Sequence, residues 1–323
     1  MPTLPWNNLP NPPLGKHGWP WVGLPQMPNS NSTLPRITIV TPSFNQAPFL
    51  EETLRSVLCQ GYPNLEYIVI DGSSTDTSSD IIQKYSPWLS YWTSEPDQGQ
   101  ANAINKGFRI GTGDIMGWLN SDDCLLPGTL ASVVAFFQLH PLAKIVCGFR
   151  RLMNEQSEWI NLSVHLEPDP FSLSRVCYVA QETVFWKREV WKTVGEIDES
   201  YQFVLDYDLW QRMLAAQYQF HLLPRFNGLF RVHPQSKGTR LWDIRSDEVK
   251  RVYWQYLGTR KDEMELHQEI NPAWWNRTLR LQGLGRAGLL NHVGMARKIT
   301  RLLTLPPTQV PNPKIFSPAR RHG

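Results

Sequence analysis

The sequence predicts an α/β protein built on a mostly parallel central sheet with helices on both faces. Two observations carry that expectation. Short strand-like runs alternate regularly with stretches whose apolar residues recur at helical spacing. The polar clusters of the first half all fall where those strand-like runs stop, and open α/β sheets bind ligands just beyond the carboxyl ends of their strands.

The elements follow in order. Residues 1–35 carry nine prolines and little periodicity, so they read as an extended or disordered Pro-rich arm. Trp6, Trp19 and Trp21 offer a means of docking that arm on an apolar surface; a loose tail is the alternative. Order begins at Arg36. The run 37–41, ITIVT, is β-branched throughout and closes at Pro42-Ser43, as in a strand covered on both faces. Residues 47–60 place Phe49, Leu50, Leu54, Val57 and Leu58 at helical spacing, with Gly61 as the stop. LEYIVID, 65–71, is a second strand, followed by GSSTDTSSD and a short helix around Ile81 and Ile82. A weaker strand covers 88–93, a helix 99–108, and a fourth strand starts near Ile115. Pro127 is placed to start a helix through Leu139. KIVCGF, 144–149, is a fifth strand.

From about Arg150 the pattern changes. Residues 150–165 read as a hairpin, 182–186 as a strand, and REVWKTVG as a short helix. An amphipathic helix runs from Leu205 to Ala216, and QFHLLP, 219–224, is a strand that gives way to a loop over 226–236. Residues 241–303 read as mostly helical.

A chain of 323 residues suggests about two domains, and 41% apolar with 19% charged residues is the composition of a soluble globular protein. A net charge of +3 calls for no nucleic-acid partner. The charge is unevenly placed: from Ile270 onward there are nine Lys or Arg and no Asp or Glu. Cys59, Cys124, Cys147 and Cys177 lack CxxC spacing, so free thiols in a reducing compartment are expected. The first residues do not read as a signal peptide, and no apolar run approaches the roughly 20 residues of a spanning helix. A cytoplasmic location is expected from these features.

The chemistry gathers at the strand ends. IMGWLNSDD, 115–123, is an apolar strand that stops in Asn120, Ser121, Asp122 and Asp123. Two adjacent carboxylates repel and need a partner, and a hard divalent cation is a natural one; an Asx-rich turn is the alternative. Asp71 beside Gly72 is placed to accept a hydrogen bond from a nucleobase N–H or ribose hydroxyl, or else to cap its own turn. Asp206 and Asp208 open the amphipathic helix two residues apart, so they point to nearly opposite sides. Asp208 stands four residues before Arg212, which explains it as an ion pair, and Asp206 is left as the candidate general base; the alternative is that both carboxylates simply complement the helix N-terminus. His233, in FRVHPQSKG, is a candidate to ligate the metal or touch a diphosphate, with Arg231 or Lys237 adding charge. Trp186, Trp191 and Trp210 are expected in the core, one of them doubling as a sugar-stacking ring.

Five pieces in this order resemble the family-2 glycosyltransferases with the GT-A fold. They are ITIVTPSFNQAPFLEETLRSVLCQGYPNLEYIVIDGSSTDTS, SEPDQGQANAINKGF, GDIMGWLNSDD, VGEIDESYQFVLDYDLWQRM and FRVHPQS, and they run from about Arg36 to Lys237. The resemblance implies a Rossmann-like GT-A domain whose half over 36–150 binds a nucleotide-sugar and whose half over 151–240 binds the acceptor and supplies the base. Residues 241–323 then form a basic helical extension. It implies sugar transfer with inversion from a nucleotide-diphosphate donor, most simply a UDP-sugar. The acceptor would be a glycan or a lipid-linked hydroxyl in cell-surface polysaccharide synthesis. It assigns Asp71 to the nucleobase, Asp122 with Asp123 to a DXD-like Mn²⁺ or Mg²⁺ site with His233 nearby, and Asp206 to catalysis. Thr41, Pro42, Asn45, Asp97, Gly99, Asn120 and Ser121 would line the nucleotide-sugar. Asn120 stands where the fuller pattern often has Asp, and Leu205 where Glu usually precedes the base. Those two departures motivate the alternative of a non-catalytic nucleotide-sugar-binding protein. A nucleotidyltransferase is disfavoured because TPSFNQAP has no Gly, Lys or Arg for a phosphate loop. The mix of Leu and Arg/Lys over 278–305 suggests peripheral contact with the inner face of the plasma membrane, against the simpler expectation of a helical pair packed on the core.

Overall fold

The computed structural model describes residues 8–24 and 34–303. Four strands, β1 (Ile37–Ser43), β2 (Leu65–Asp71), β3 (Tyr91–Ser94) and β4 (Ile115–Trp118), lie parallel in the order β3-β2-β1-β4. Strand alternation sends Ile37, Ile39, Tyr67 and Val69 into one apolar layer and Val40, Ile68 and Ile70 into the other. Helices α1 (Ala47–Leu58), α2 (Ser78–Tyr85) and α4 (Thr129–Leu139) cover the first layer. The second is covered by α3 (Gln100–Ile110), α6 (Arg188–Val194), α7 (Leu205–Ala215) and α9 (Trp242–Leu257). Both faces are buried, which is why these strands read as continuous apolar runs.

The sheet continues without a break into the second half. β8 (Phe185–Lys187) is antiparallel both to β4 and to β6 (Ile145–Met153), so β6 points the same way as β1. β9 (Phe220–Arg231) runs parallel to β6, while β7 (Trp159–Ser163) pairs antiparallel with β6 as the expected hairpin. A two-residue strand, β5 (Cys124–Leu125), closes the far edge against β9. The sheet is therefore mostly parallel, and residue 150 falls inside β6.

Several boundaries differ from expectation: the strand read over 88–93 is Tyr91–Ser94, and the strand read over 182–186 is a 3-10 turn (Gln181–Thr183) followed by β8. β9 does not end at Pro224 but runs on to Arg231, through most of the segment read as a loop. Proline lacks a ladder N–H, and the chain accommodates it where the β6–β9 register shifts between Cys147 and Phe149. β5 is too short to show any periodicity in the sequence.

The N-terminal arm is docked over its described residues. The Arg55 guanidinium lies 5.3 Å from the Trp21 ring centroid and donates to the carbonyls of Trp21 (3.0 Å) and Pro10 (2.8 Å). Trp19 Nε1 donates to Leu125 O at 2.9 Å. Trp6 lies outside the described residues. Two single-turn helices, α5 (Pro170–Leu173) and α8 (Lys237–Arg240), complete the second half, and α10 (Glu263–Glu269), α11 (Pro272–Arg286) and α12 (Val293–Leu303) follow α9. Trp274, Leu281, Leu290 and Ala296 pack with Phe149, Leu162 and Phe226 in a third apolar cluster. Residues 278–303 are thus a helical pair with its buried face on the core, broken at Gly288, whose φ is +78°. Cys59, Cys124 and Cys147 are buried free thiols, and Cys177 is exposed.

Candidate active site

The carboxyl ends of β1, β2 and β4 form one rim, and each polar cluster there has been given distinct work. Asp71, at the end of β2, is fully buried. Its Oδ2 accepts from the Ser74 amide at 2.9 Å and from Ser94 Oγ at 2.7 Å, and its Oδ1 accepts from Ser74 Oγ at 2.5 Å. The carboxylate is consumed in bracing its own loop, the second of the two roles open to it from sequence. Asn45, with φ at 52°, clamps the same loop: its Oδ1 accepts from the Thr75 amide at 2.8 Å. Thr41 is buried against the Tyr67 hydroxyl at 3.0 Å, and Pro42 is buried beside it. The carboxylate left open here is Asp97. A Cβ at Gly72 would lie 2.8 Å from Asp97 Oδ2, so the missing side chain at Gly72 makes room for it. Asp97 Oδ1 accepts from the Gly99 amide at 2.8 Å, and Asp97 is partly exposed.

The β4 end separates its two aspartates. Asp122 keeps a partly exposed carboxylate, whose Oδ2 is 3.0 Å from His233 Nε2. Asp123 is buried, and its Oδ1 accepts from the Arg231 amide at 2.9 Å. Burial, and then the carboxylates of Asp122 and Glu182, push the Asp123 carboxyl well above the usual range. Asp122 is thus the aspartate that reaches the surface, backed by the buried His233, and Asp123 is turned into the fold. The loop is held from below by Arg231, itself buried, which donates from Nε to Asp122 O and from Nη2 to Glu52 Oε2, both at 2.9 Å. Removing one partner of such a buried ion pair leaves an uncompensated charge. Thr53 Oγ1 adds contacts to the carbonyls of Ser121 (2.9 Å) and Asp123 (2.7 Å). Among the described residues no group of three His, Cys, Asp or Glu is placed to hold a metal. One carboxylate and one imidazole still suit a hard cation whose remaining ligands come from phosphate oxygens and water.

Asp206 sits in the first turn of α7, partly exposed, and its Oδ1 accepts from the Tyr207 amide at 2.8 Å. Desolvation by burial raises its carboxyl to about 6, against the opposing pull of the Tyr207 amide. Asp208 is on the other side of the helix, held by Arg212 Nε at 2.9 Å and by the Tyr256 hydroxyl at 2.8 Å. The Asp208–Arg212 pair expected from spacing is therefore present, and among the described residues Asp206 has no side-chain hydrogen-bond partner. Lys237 links the two poles. Its Nζ donates to Gln100 Oε1 at 2.6 Å and to Gln202 O at 2.9 Å, within electrostatic reach of Asp122 and Asp206.

Asn120 is engaged as an amide rather than as an anion. Its Oδ1 accepts from Gln100 Nε2 at 2.7 Å, and its Nδ2 donates to Gln181 Oε1 at 3.3 Å. Gln181 Nε2 in turn donates to Trp118 O at 2.9 Å. Gln100, Gln181, Glu182 and Arg150 surround the site and went unread in the sequence. Glutamines carry no motif signal, and Arg150 lay in a strand read only for its alternation. The tryptophan expectation needs one correction. Trp186 and Trp210 are completely buried and Trp191 is 8% exposed, packed with Trp118 and Phe108, so none of the three offers a sugar-stacking face.

Residues 38–185 match the family model described as Glycosyl transferase family 2. The chain is 26% identical over 200 residues to an uncharacterized glycosyltransferase of Rickettsia typhi, covering 58% of this chain and 61% of that one. It is 28% identical over 181 residues to a PGL/p-HBAD biosynthesis glycosyltransferase of Mycobacterium bovis, covering 54% and 68%. The match thus spans less than two thirds of the rickettsial relative's own length. Among solved structures, residues 1–349 of S. aureus TarS in complex with UDP-GlcNAc align with a TM-score of 0.58 at 15% identity, covering 82% of this chain and 90% of that one. The mannosyltransferase PcManGT from Pyrobaculum calidifontis, in complex with GDP-Man and Mn²⁺, aligns with a TM-score of 0.54 at 20% identity, covering 92% and 83%. At these identities the likeness is one of fold, the GT-A fold.

Proposed function

We propose that this chain, which belongs to glycosyl transferase family 2 through residues 38–185, is an inverting enzyme that moves a sugar from a UDP-sugar to an acceptor hydroxyl. The acceptor would be a glycan or lipid-linked molecule in cell-surface polysaccharide synthesis. The observation that carries this reading is the division of labour among the aspartates. Asp122 keeps a partly exposed carboxylate backed by the buried His233, and Asp206 stands apart with its carboxyl raised to about 6. That value suits a group that must be ionised near neutral pH and still accept a proton as the bond forms.

In the proposed reaction the acceptor oxygen attacks the anomeric carbon while Asp206 takes its proton. The bond from that carbon to the phosphate oxygen breaks, and the nucleoside diphosphate leaves with the electron pair. Bound at Asp122 and His233, a Mn²⁺ or Mg²⁺ ion would supply Lewis-acid stabilisation of the diphosphate. Lys237, held by Gln100 and Gln202, would add a cation to the same charge. Asp97 takes the nucleobase role first assigned to Asp71, because its carboxylate is partly exposed beside Gly72 while that of Asp71 is fully buried.

The test is turnover by the purified chain with Mn²⁺ and UDP-, GDP- and dTDP-sugars. Hydrolysis or transfer with a UDP-sugar is expected, and neither binding nor turnover with any donor would reject the reading. The pH profile follows from Asp206. The base works only when ionised, so kcat/KM should rise with pH, level off above about 6, and fall about tenfold per unit below it. A flat profile between about pH 4.5 and 7 would remove Asp206 as the titrating group.

We also infer a peripheral membrane surface on the outward side of α11 and α12. Leu279 on α11, Leu289 in the turn after it and Met295 on α12 are exposed, as are Arg280, Arg286 and Arg297, and no acidic residue follows Ile270. Basic, leucine-bearing surfaces of this kind favour anionic headgroups. No helix among the described residues is long and apolar enough to cross a membrane. The protein should sediment with vesicles containing phosphatidylglycerol and not with neutral ones. The triple variant R280E/R286E/R297E should stay in the supernatant; equal sedimentation of both would reject the contact.

A further inference from the structure

Arg150 is the charged group in this cleft that the proposed reaction does not use. It lies on β6 opposite Gly228 of β9, on the face away from the buried Phe149. Its side chain is 29% exposed. The Nε is buried without a partner, and no side-chain hydrogen bond is present for this guanidinium among the described residues. The nearest carboxylate, Glu182 Oε2, is 3.8 Å from Nη1, an ion-pair distance outside hydrogen-bond length. Glu182 is itself 2% exposed and its Oε1 has no partner. Burial pushes the Glu182 carboxyl upward, which weakens it as a counter-ion. It reaches this position because Gly228 has no side chain: a Cβ there would lie 2.4 Å from Glu182 Cγ. The face of the Phe230 ring supports the guanidinium plane, 4.8 Å from centroid to Cζ.

A guanidinium with a supported plane and unused donors suits a planar or tetrahedral oxyanion, bound through two parallel N–H bonds. Its place in the cleft says which one. Asp206 and the exposed Cys177 lie within electrostatic reach of Arg150, as does the buried Asp123. The diphosphate pole, by contrast, is already served by Asp122, His233 and Lys237. We propose that Arg150 binds an anionic group of the acceptor, a phosphate or a carboxylate, and so orients the hydroxyl that Asp206 deprotonates. The acceptor would then be an acidic glycan or a phosphate-bearing carrier rather than a neutral sugar. This rests on the reading of Asp206 as base and Asp122 as the donor pole.

The test is calorimetric titration of the full chain with inorganic phosphate and with methyl glucuronide, using methyl glucoside as the neutral control. Each is run with and without saturating UDP and Mn²⁺. At least one anion should bind with UDP present, and the neutral glycoside should not. R150Q should weaken that anion about tenfold or more and R150K by less, because lysine keeps the charge but loses the paired geometry. UDP binding by each variant serves as the folding control. An unchanged anion affinity in R150Q would overturn the proposal. So would displacement of the anion by UDP, which would make Arg150 a donor-phosphate contact. Failure of UDP to bind the unmutated protein would instead count against the donor reading, and the anion titration without UDP would still decide the role of Arg150.

Discussion

Asp206→Asn should lower turnover by about 10²–10⁴-fold while leaving UDP affinity within about twofold, the loss expected when a positioned general base is removed. The substitution keeps the shape of the side chain and its place as an acceptor for the Tyr207 amide, so the helix start is retained. What disappears is the group raised to about 6 by burial, and with it the acidic limb of the pH profile. Steady-state kinetics and UDP calorimetry on the same preparation measure both quantities. Unchanged turnover would remove Asp206 from the mechanism. The result also separates the two functional readings. A nucleotide-sugar-binding protein without catalysis would show no rate for the substitution to reduce, whereas an enzyme would keep its donor and lose its chemistry.

Asp122→Ala should act on the metal. The Mn²⁺ concentration for half-maximal rate should rise by more than about tenfold, and kcat/KM should fall by about 100-fold, since even residues behind metal ligands are commonly worth 10–100-fold. Asp123→Asn is the informative comparison. That carboxylate is buried and accepts from the Arg231 amide. Its replacement keeps an acceptor for that amide and should leave the metal response close to that of the unmutated protein. A Mn²⁺ titration of both variants decides the matter. Equal loss of metal response in the two would refute the separation of roles drawn from their burial.

Much of the fold was legible because the signals are local. The β-branched run at 37–41 and the apolar LEYIVID have no other economical reading than buried strands, and both sit where expected. The long strand β9 was legible only in part. Pro224 argued for an end, and the register shift on β6 that accommodates it is a property of the neighbouring strand. The helical pair at the C-terminus was legible as helix, but its buried face depends on Phe149 and Leu162, more than a hundred residues away.

The site divides in the same way. The chain itself determined the order of the elements, the polar clusters at the strand ends, the Asp208–Arg212 pair and the isolation of Asp206, because each follows from spacing along one segment. Tertiary structure decided which carboxylates remain open. Asp71 and Asp122 look alike in sequence, each an aspartate at a strand end, yet Ser74 and Ser94 close one while the other, met by the buried His233, stays partly exposed. Folding likewise turned Asp123 toward Arg231, let Asp97 take the space beside Gly72, and left Arg150 facing the cleft with donors to spare. The physical reason is that the state of a carboxylate or guanidinium is set by burial and by the donors and acceptors within about 3 Å of it. At this site those partners come from segments far apart in the chain.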